Sequence, residues 1–165
     1  MKFIFIVLAI AFLSPAVFAQ ISDDSIPAYM RIPTVPPFKL MLAPDSMPFT
    51  KDQLKKKKPV IIMIFSPDCD HCLHSTEDML AQYNDLKKAE IIMATALAFQ
   101  HVKKFYRDYK LADYPAVKAG MDNTNFLGLF YEVRSYPAIY LYDKKGKFKA
   151  FFGPHTKWKE IAKSL

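Results

Sequence analysis

Cysteine and glycine are scarce: the 165 residues contain two cysteines, Cys69 and Cys72, and four glycines. Two cysteines are too few for a disulfide scaffold or a four-cysteine zinc site. So little glycine, with no fixed-period repeat, excludes collagen-like and solenoid architectures. Nothing resembles a glycine-rich nucleotide loop, a Ser/His/Asp triad or a nucleic-acid module, so nucleic acid is not an expected partner. Hydrophobic residues make up 52% and charged residues 24%, which is enough apolar surface to exclude wholesale disorder. The length suits one ordinary domain.

What is plentiful is proline, with twelve residues, and lysine, which carries the net charge to +7. The lysines are scattered apart from the run Lys55 to Lys58. That run admits two readings, an anionic docking patch or a solvated loop that keeps the following strand soluble, and the second is the plainer one.

The first nineteen residues read as a targeting segment, not as part of the fold. Lys2 is a minimal positive start and Phe3 to Leu13 is a continuous apolar run. Ser14-Pro15 breaks the run, and Val17 and Ala19 supply small residues for signal-peptidase cleavage. Eleven apolar residues fall short of the ~20 that span a bilayer as a helix. An uncleaved anchor using Phe3 to Ala19 is the alternative, and Pro15 suits it less well. The expectation is a signal peptide at 1–19, a loosely packed proline-rich leader at 20–37 and one domain at 38–165. The product would be periplasmic or secreted, monomeric and not stably inserted in a membrane.

Along the domain, Phe38 to Leu42 alternates as a short strand and Phe49-Thr50 can return beside it. Thr50 to Leu54 reads as one capped helical turn. Val60 to Phe65 is apolar without alternation, as a central, parallel strand buried on both faces would be. A helix is expected from Cys69 to about Lys88, with Cys72, Thr76, Met79, Leu80, Tyr83 and Leu86 on one face. Glu90 to Ala98 is a second buried strand and Gln100 to Lys110 an amphipathic helix. Residues 111–130 are the least legible. Ala138 to Tyr142, a turn at Asp143 to Gly146 and Lys147 to Phe152 form a strand hairpin. A closing helix follows from Thr156, its expected N-cap, to Ser164. This order is α/β with a mixed sheet.

Cys69-Asp70-His71-Cys72 therefore stands where a buried strand passes into a helix. That placement suits dithiol chemistry. The first cysteine meets the unpaired N–H groups at the helix start, which favour a thiolate. The second lies one turn deeper, within reach of a mixed disulfide formed on the first. A purely structural bridge makes little sense here, because closing so short a loop hardly constrains the unfolded chain. Asp70 and His71 are the neighbours that tune the charge at Cys69, with opposite signs.

These residues resemble the thioredoxin superfamily, and especially its exported TlpA/ResA-type thiol–disulfide oxidoreductases. The resemblance spans roughly Phe38 to Leu165 and includes the short hairpin before the central strand, the cysteine motif, and Tyr136-Pro137 ahead of the final hairpin and helix. It implies a thioredoxin-like mixed sheet flanked by helices, with an N-terminal β-hairpin extension. It also implies a redox-active Cys69–Cys72 pair, a cis Pro137 against it, and backbone around Tyr136 that pairs with extended substrate. Protein thiols and disulfides, with an upstream redox partner, would be the partners; no cofactor or metal is implied. His71 before the second cysteine is similar to more oxidising, DsbA- and isomerase-like members.

Departures from the pattern bear on direction. Asp68 stands where thioredoxins carry Trp, and Met63 where they bury an Asp. Ser75 stands where the reducing enzymes carry a Glu, so the familiar proton acceptor is missing. A copper-delivery module using Cys69, His71, Cys72, His74 or His101 is the rival from another class, but copper carriers of this fold space their cysteines differently. His74 and His101 read as surface histidines. A peroxiredoxin reading fails because Cys69 lacks that family's upstream proline. Of the tyrosines in the second half, all but Tyr136 are expected in core or sheet packing.

Overall fold

The structure is a computed structural model and describes residues 26–165. The expected signal peptide and residues 20–25 of the leader lie outside the described residues. The elements are α1 (Ala28–Arg31), β1 (Lys39–Leu42), β2 (Met47–Thr50), β3 (Val60–Ile64), α2 (Asp70–Ala81), α3 (Tyr83–Leu86), β4 (Glu90–Thr95), α4 (Phe99–Asp108), β5 (Val117–Met121), α5 (Phe126–Phe130), β6 (Ala138–Tyr142), β7 (Phe148–Phe152) and α6 (Trp158–Lys163). Seven strands form one mixed sheet in the order β2-β1-β5-β4-β3-β6-β7.

Every residue of β3 and of β4 is buried, as uninterrupted apolar runs require when both faces of a sheet are covered. Side chains alternate between the two faces. Ile61 and Met63 join Ile91, Met93, Ile139 and Leu141 beneath the helices that supply Met79, Val102, Phe105 and Trp158. Ile62 and Ile64 face the other way, toward Leu40, Leu127, Tyr131 and Tyr140. On that second face Tyr131 and Tyr140 stack at 3.7 Å. Tyr131 and Tyr142 share a hydroxyl–hydroxyl hydrogen bond of 2.6 Å, which satisfies both buried phenols. The expected core tyrosines thus include Tyr131, Tyr140 and Tyr142, whereas Tyr136 is 40% exposed.

Several expectations need correction. The strand β3 is parallel to β4 but antiparallel to β6, and the central strand is β4. The helix expected to run from Cys69 to Lys88 is interrupted at Gln82, which leaves helical geometry. The break turns Tyr83 edge-on to Tyr114 at 5.0 Å and lets its hydroxyl accept the Ala116 N–H at 3.2 Å. The strand expected over Glu90 to Ala98 stops at Thr95, whose Oγ1 accepts the Leu97 N–H at 3.3 Å. Thr156 is not the cap of the last helix: Lys157 is, and the carboxylate that accepts the Trp158 N–H at 2.9 Å belongs to Asp78 of α2. The Trp158 indole N–H also donates to Ser75 Oγ at 2.9 Å, so α6 is fastened to the cysteine-bearing helix at two points. The leader read as loosely packed is docked from residue 29 on. Tyr29 contacts the rings of Tyr131, Tyr140 and Phe148, Val35 is 3% exposed, and Thr34 bridges to Lys147.

The segment least legible in sequence contains a whole strand. β5 pairs in parallel with β4 and antiparallel with β1, and so ties the β1–β2 hairpin to the sheet. Lys118 and Gly120 interrupt its apolar pattern, which hid it. Gly120 has a steric cause: a Cβ there would stand 2.9 Å from Leu40 Cβ and 3.2 Å from the Met41 carbonyl. β1 can approach only because nothing projects. Gly120→Ala is expected to destabilise the protein by ~1–3 kcal/mol, the usual cost of overpacking, as measured by urea unfolding. An unchanged midpoint would show that the hairpin yields freely.

Candidate active site

β3 ends at Ile64, and Phe65 still pairs through its N–H with the Ala94 carbonyl at 3.0 Å. Ser66-Pro67-Asp68 then turns the chain into α2, whose N-cap is Cys69. The Cys69 carbonyl accepts the N–H groups of Cys72 and Leu73 at 2.9 and 3.0 Å. Its side chain is free of the capping role. Cys69 is half-buried and Cys72 is completely buried, and both are free thiols.

Cys72 sits beneath the helix start among buried residues. Thr76 and Met79 are both 0% exposed, and Thr76 Oγ1 donates to the Cys72 carbonyl at 2.8 Å. Burial pushes the Cys72 thiol up to about 12. The Ser66 N–H, donating to Sγ at 3.4 Å, opposes this, and the adjoining Cys69 adds to the rise. Met63 is fully buried. Among the described residues the buried carboxylates are Glu90 and Asp122. Glu90 pairs with Val60 at the far end of β3. Asp122 is committed to the start of α5, accepting the Leu127 N–H at 2.7 Å. No buried carboxylate therefore serves the inner thiol.

Tyr136-Pro137 forms a cis peptide bond. Ala138 pairs with Ile64, which places Pro137 level with Phe65 at the strand end that leads to the cysteines. Asp70 and His71 are exposed in the first turn of α2. His74 is also exposed, with Nδ1 3.4 Å from a Glu77 carboxylate oxygen. His101, from α4, reaches Asp68 at 3.6 Å. His155 was not singled out from sequence, yet its ring lies edge-on to His71 at 5.5 Å. No sequence signal links two histidines so far apart in the chain; the loop between β7 and α6 brings them together. Among the described residues, no three His, Cys, Asp or Glu side chains converge where they could hold a metal ion.

This architecture is thioredoxin-like. The chain superimposes on the exposed lipoprotein thioredoxin of Streptococcus pneumoniae with a TM-score of 0.60 and 23% identity, over 79% of this chain and 100% of that one. A secreted Mycobacterium tuberculosis disulfide oxidoreductase, homologous to E. coli DsbE, gives 0.63 at 17% identity, covering 77% and 92%. The copper-bound ScoI of Arabidopsis thaliana gives 0.61 at 15%, covering 78% and 96%. At such identities the likeness establishes the fold. No protein-family model and no curated protein matches the chain.

The buried thiol has a measurable signature. In Cys69→Ser, burial still raises the Cys72 thiol, so it is expected to resist iodoacetamide near neutral pH, to react about tenfold faster per pH unit as the pH rises, and to react at once after denaturation. A raised folded pKa means stability is full below the unfolded value and is lost as pH rises. Reduced protein should therefore lose stability between the ordinary 9.0 and about 12, a component that the oxidised form lacks. Equal alkaline profiles for the two forms would contradict the burial of Cys72.

Proposed function

We propose that the protein is an exported thiol–disulfide oxidoreductase of the TlpA/ResA type that exchanges disulfides with other proteins. The observation that carries this reading is the unequal pair at one strand–helix junction, with Cys69 partly open at the N-cap and Cys72 sealed one turn below. A structural bridge has no need of such asymmetry; a nucleophile and a resolving thiol do. The comparisons lend support through the secreted disulfide oxidoreductase and the surface-exposed thioredoxin that share the fold.

In the reducing direction the Cys69 thiolate attacks one sulfur of a substrate disulfide. A Cys69–substrate bond forms, the substrate S–S bond breaks, and one substrate thiolate leaves. Cys72 gives up its proton and attacks the Cys69 sulfur, closing the Cys69–Cys72 disulfide and releasing the second thiolate. The substrate is reduced and the pair oxidised by two electrons; an upstream protein dithiol resets it, and the reverse sequence oxidises a substrate. With no buried carboxylate beside it among the described residues, Cys72 passes its proton to solvent or to the departing thiolate. Tyr136 and Pro137 border the opening and offer backbone to an extended substrate segment. Asp70 and His71 set the charge around Cys69. The substrate-free protein acts as a monomer in the periplasm or outside the cell.

The copper-delivery alternative requires a third donor, and none converges on the two cysteines among the described residues. Titration of the purified protein with Cu(I) and Zn(II), beside an insulin-reduction assay, separates the two. Tight stoichiometric metal binding without disulfide exchange would overturn the oxidoreductase reading.

Roles within the pair are tested by trapping. Cys72→Ser should accumulate mixed disulfides with partner proteins on non-reducing gels, whereas Cys69→Ser should accumulate few. Equal trapping would refute the assignment.

Redox poise follows from the charges. A positive charge on His71 would favour the dithiol over the disulfide, as does the lack of a buried carboxylate beside Cys72 among the described residues, while Asp70 opposes them. The expected potential lies between about −270 mV for thioredoxin and about −180 mV for the isomerase. Equilibration in glutathione buffers measures it, and His71→Pro should shift it negative. A value below that of thioredoxin would overturn the argument.

A further inference from the structure

The end of the sheet opposite the cysteines carries a concentration of positive charge that dithiol exchange does not use. The loop holding Lys55 to Lys58 enters β3 at Val60, and Val60 pairs with Tyr142 of the antiparallel β6. The β6–β7 turn, with Lys144 and Lys145, therefore lies beside that loop. Together with Lys51 these lysines border one open depression of about 540 Å³. Lys55, Lys56, Lys57, Lys144 and Lys145 are exposed, and none of them forms an ion pair with a described residue.

The acidic groups at this end are turned inward or tied to backbone. Glu90 is 2% exposed and binds Lys118 Nζ at 3.1 Å and the Lys55 N–H at 2.7 Å, which holds the lysine loop in place. Asp143 accepts the N–H groups of Lys145 and Lys147 at 2.8 and 2.9 Å. Asp52 is exposed, and the Asp143 carboxylate, although bonded to backbone, is also open to solvent beside Lys145 and Lys147, so these two carboxylates face the seven lysines that border the depression. Solubility of the next strand accounts for one or two lysines. It does not account for two separate loops converging their lysines on the same rim.

Apolar side chains adjoin this rim. The Val35 N–H donates to the Gly146 carbonyl at 3.0 Å and Thr34 bridges to Lys147, so the incoming chain runs along the basic turn. Just before it, Ile26, Met30 and Ile32 are 45%, 53% and 56% exposed. Unpaired lysines, with exposed apolar side chains in the chain segment that leads into their rim, match the two components of an interfacial membrane contact, headgroup charge and acyl boundary.

We propose that this basic end docks on a bilayer surface rich in anionic phospholipid. Five residues of β3, each rising ~3.3 Å, separate it from the Cys69 junction, so the docked domain presents its cysteines away from the lipid, toward proteins in the aqueous space. Only that last clause rests on the function proposed above; lipid binding itself involves neither thiol.

The test is sedimentation of the full-length chain with vesicles of phosphatidylcholine, with and without phosphatidylglycerol. Any contribution of residues 1–25 through apolar insertion is present in both. Binding should be markedly stronger with phosphatidylglycerol and should weaken as salt is raised. Each lysine near the surface contributes about fivefold in partitioning, so K55Q/K56Q/K57Q/K58Q should lose about 600-fold of the anionic preference, at four lysines' worth. K144Q/K145Q should lose about 25-fold, at two lysines' worth. Both variants should keep wild-type circular dichroism and disulfide exchange, which excludes misfolding. Equal binding to both vesicle types, unchanged binding by the quadruple variant, or a preference for soluble polyglutamate over phosphatidylglycerol vesicles would overturn the proposal. On bound vesicles Cys69 should remain open to a membrane-impermeant maleimide; protection would overturn the orientation, even if disulfide exchange in solution stood intact.

Discussion

Enclosure of β3 and β4 on both faces is the constraint on which the rest of the molecule depends. Ile61 and Met63 need cover from the helices and Ile62 and Ile64 from the aromatic layer. The chain must therefore leave the end of β3 and cross at once to a helix on one face. Cys69 occupies that crossing and Cys72 the first turn beyond it, beneath Thr76 and Met79. The difference in environment between two chemically identical thiols is a by-product of closing the core. It needs no special pocket.

The same enclosure explains how α6 supports the site from a distance. Trp158 fills the core under α2, and its two N–H groups find Asp78 and Ser75 on that helix. Ser75 thereby acquires a structural task as the acceptor of the indole N–H. Among the described residues no carboxylate lies under Cys72, since Met63 offers no charge and Glu90 lies at the other end of the strand, so only the Ser66 N–H opposes the desolvation of its thiol.

Charge is divided along the strand axis. Histidines and aspartates gather at the cysteine end, where His71 meets His155 and His101 meets Asp68. Lysines gather at the opposite end, where Glu90 anchors their loop from within. Because β3 and β6 are antiparallel, the turn that follows β6 must return to the lysine end, just as the cis Tyr136-Pro137 preceding it must lie at the cysteine end. Topology alone therefore separates the two surfaces.

The strand–helix junction was legible in the sequence because its signals are local: an unbroken apolar run, a Ser-Pro-Asp turn and two cysteines at helical spacing. The mixed sheet and its final hairpin were legible for the same reason. β5 was hidden, because Lys118 reaches across to Glu90 and Gly120 exists to admit β1; both residues answer to neighbours far away in the chain. The break at Gln82, the Asp78 cap on α6 and the docking of Tyr29 are likewise decided by contacts between distant segments. Residue type and spacing determined which chemistry the chain can carry. Which thiol is sealed, which histidines meet and where the lysines converge were decided only by folding, because burial and electrostatic proximity depend on distance in space and not on position in the chain.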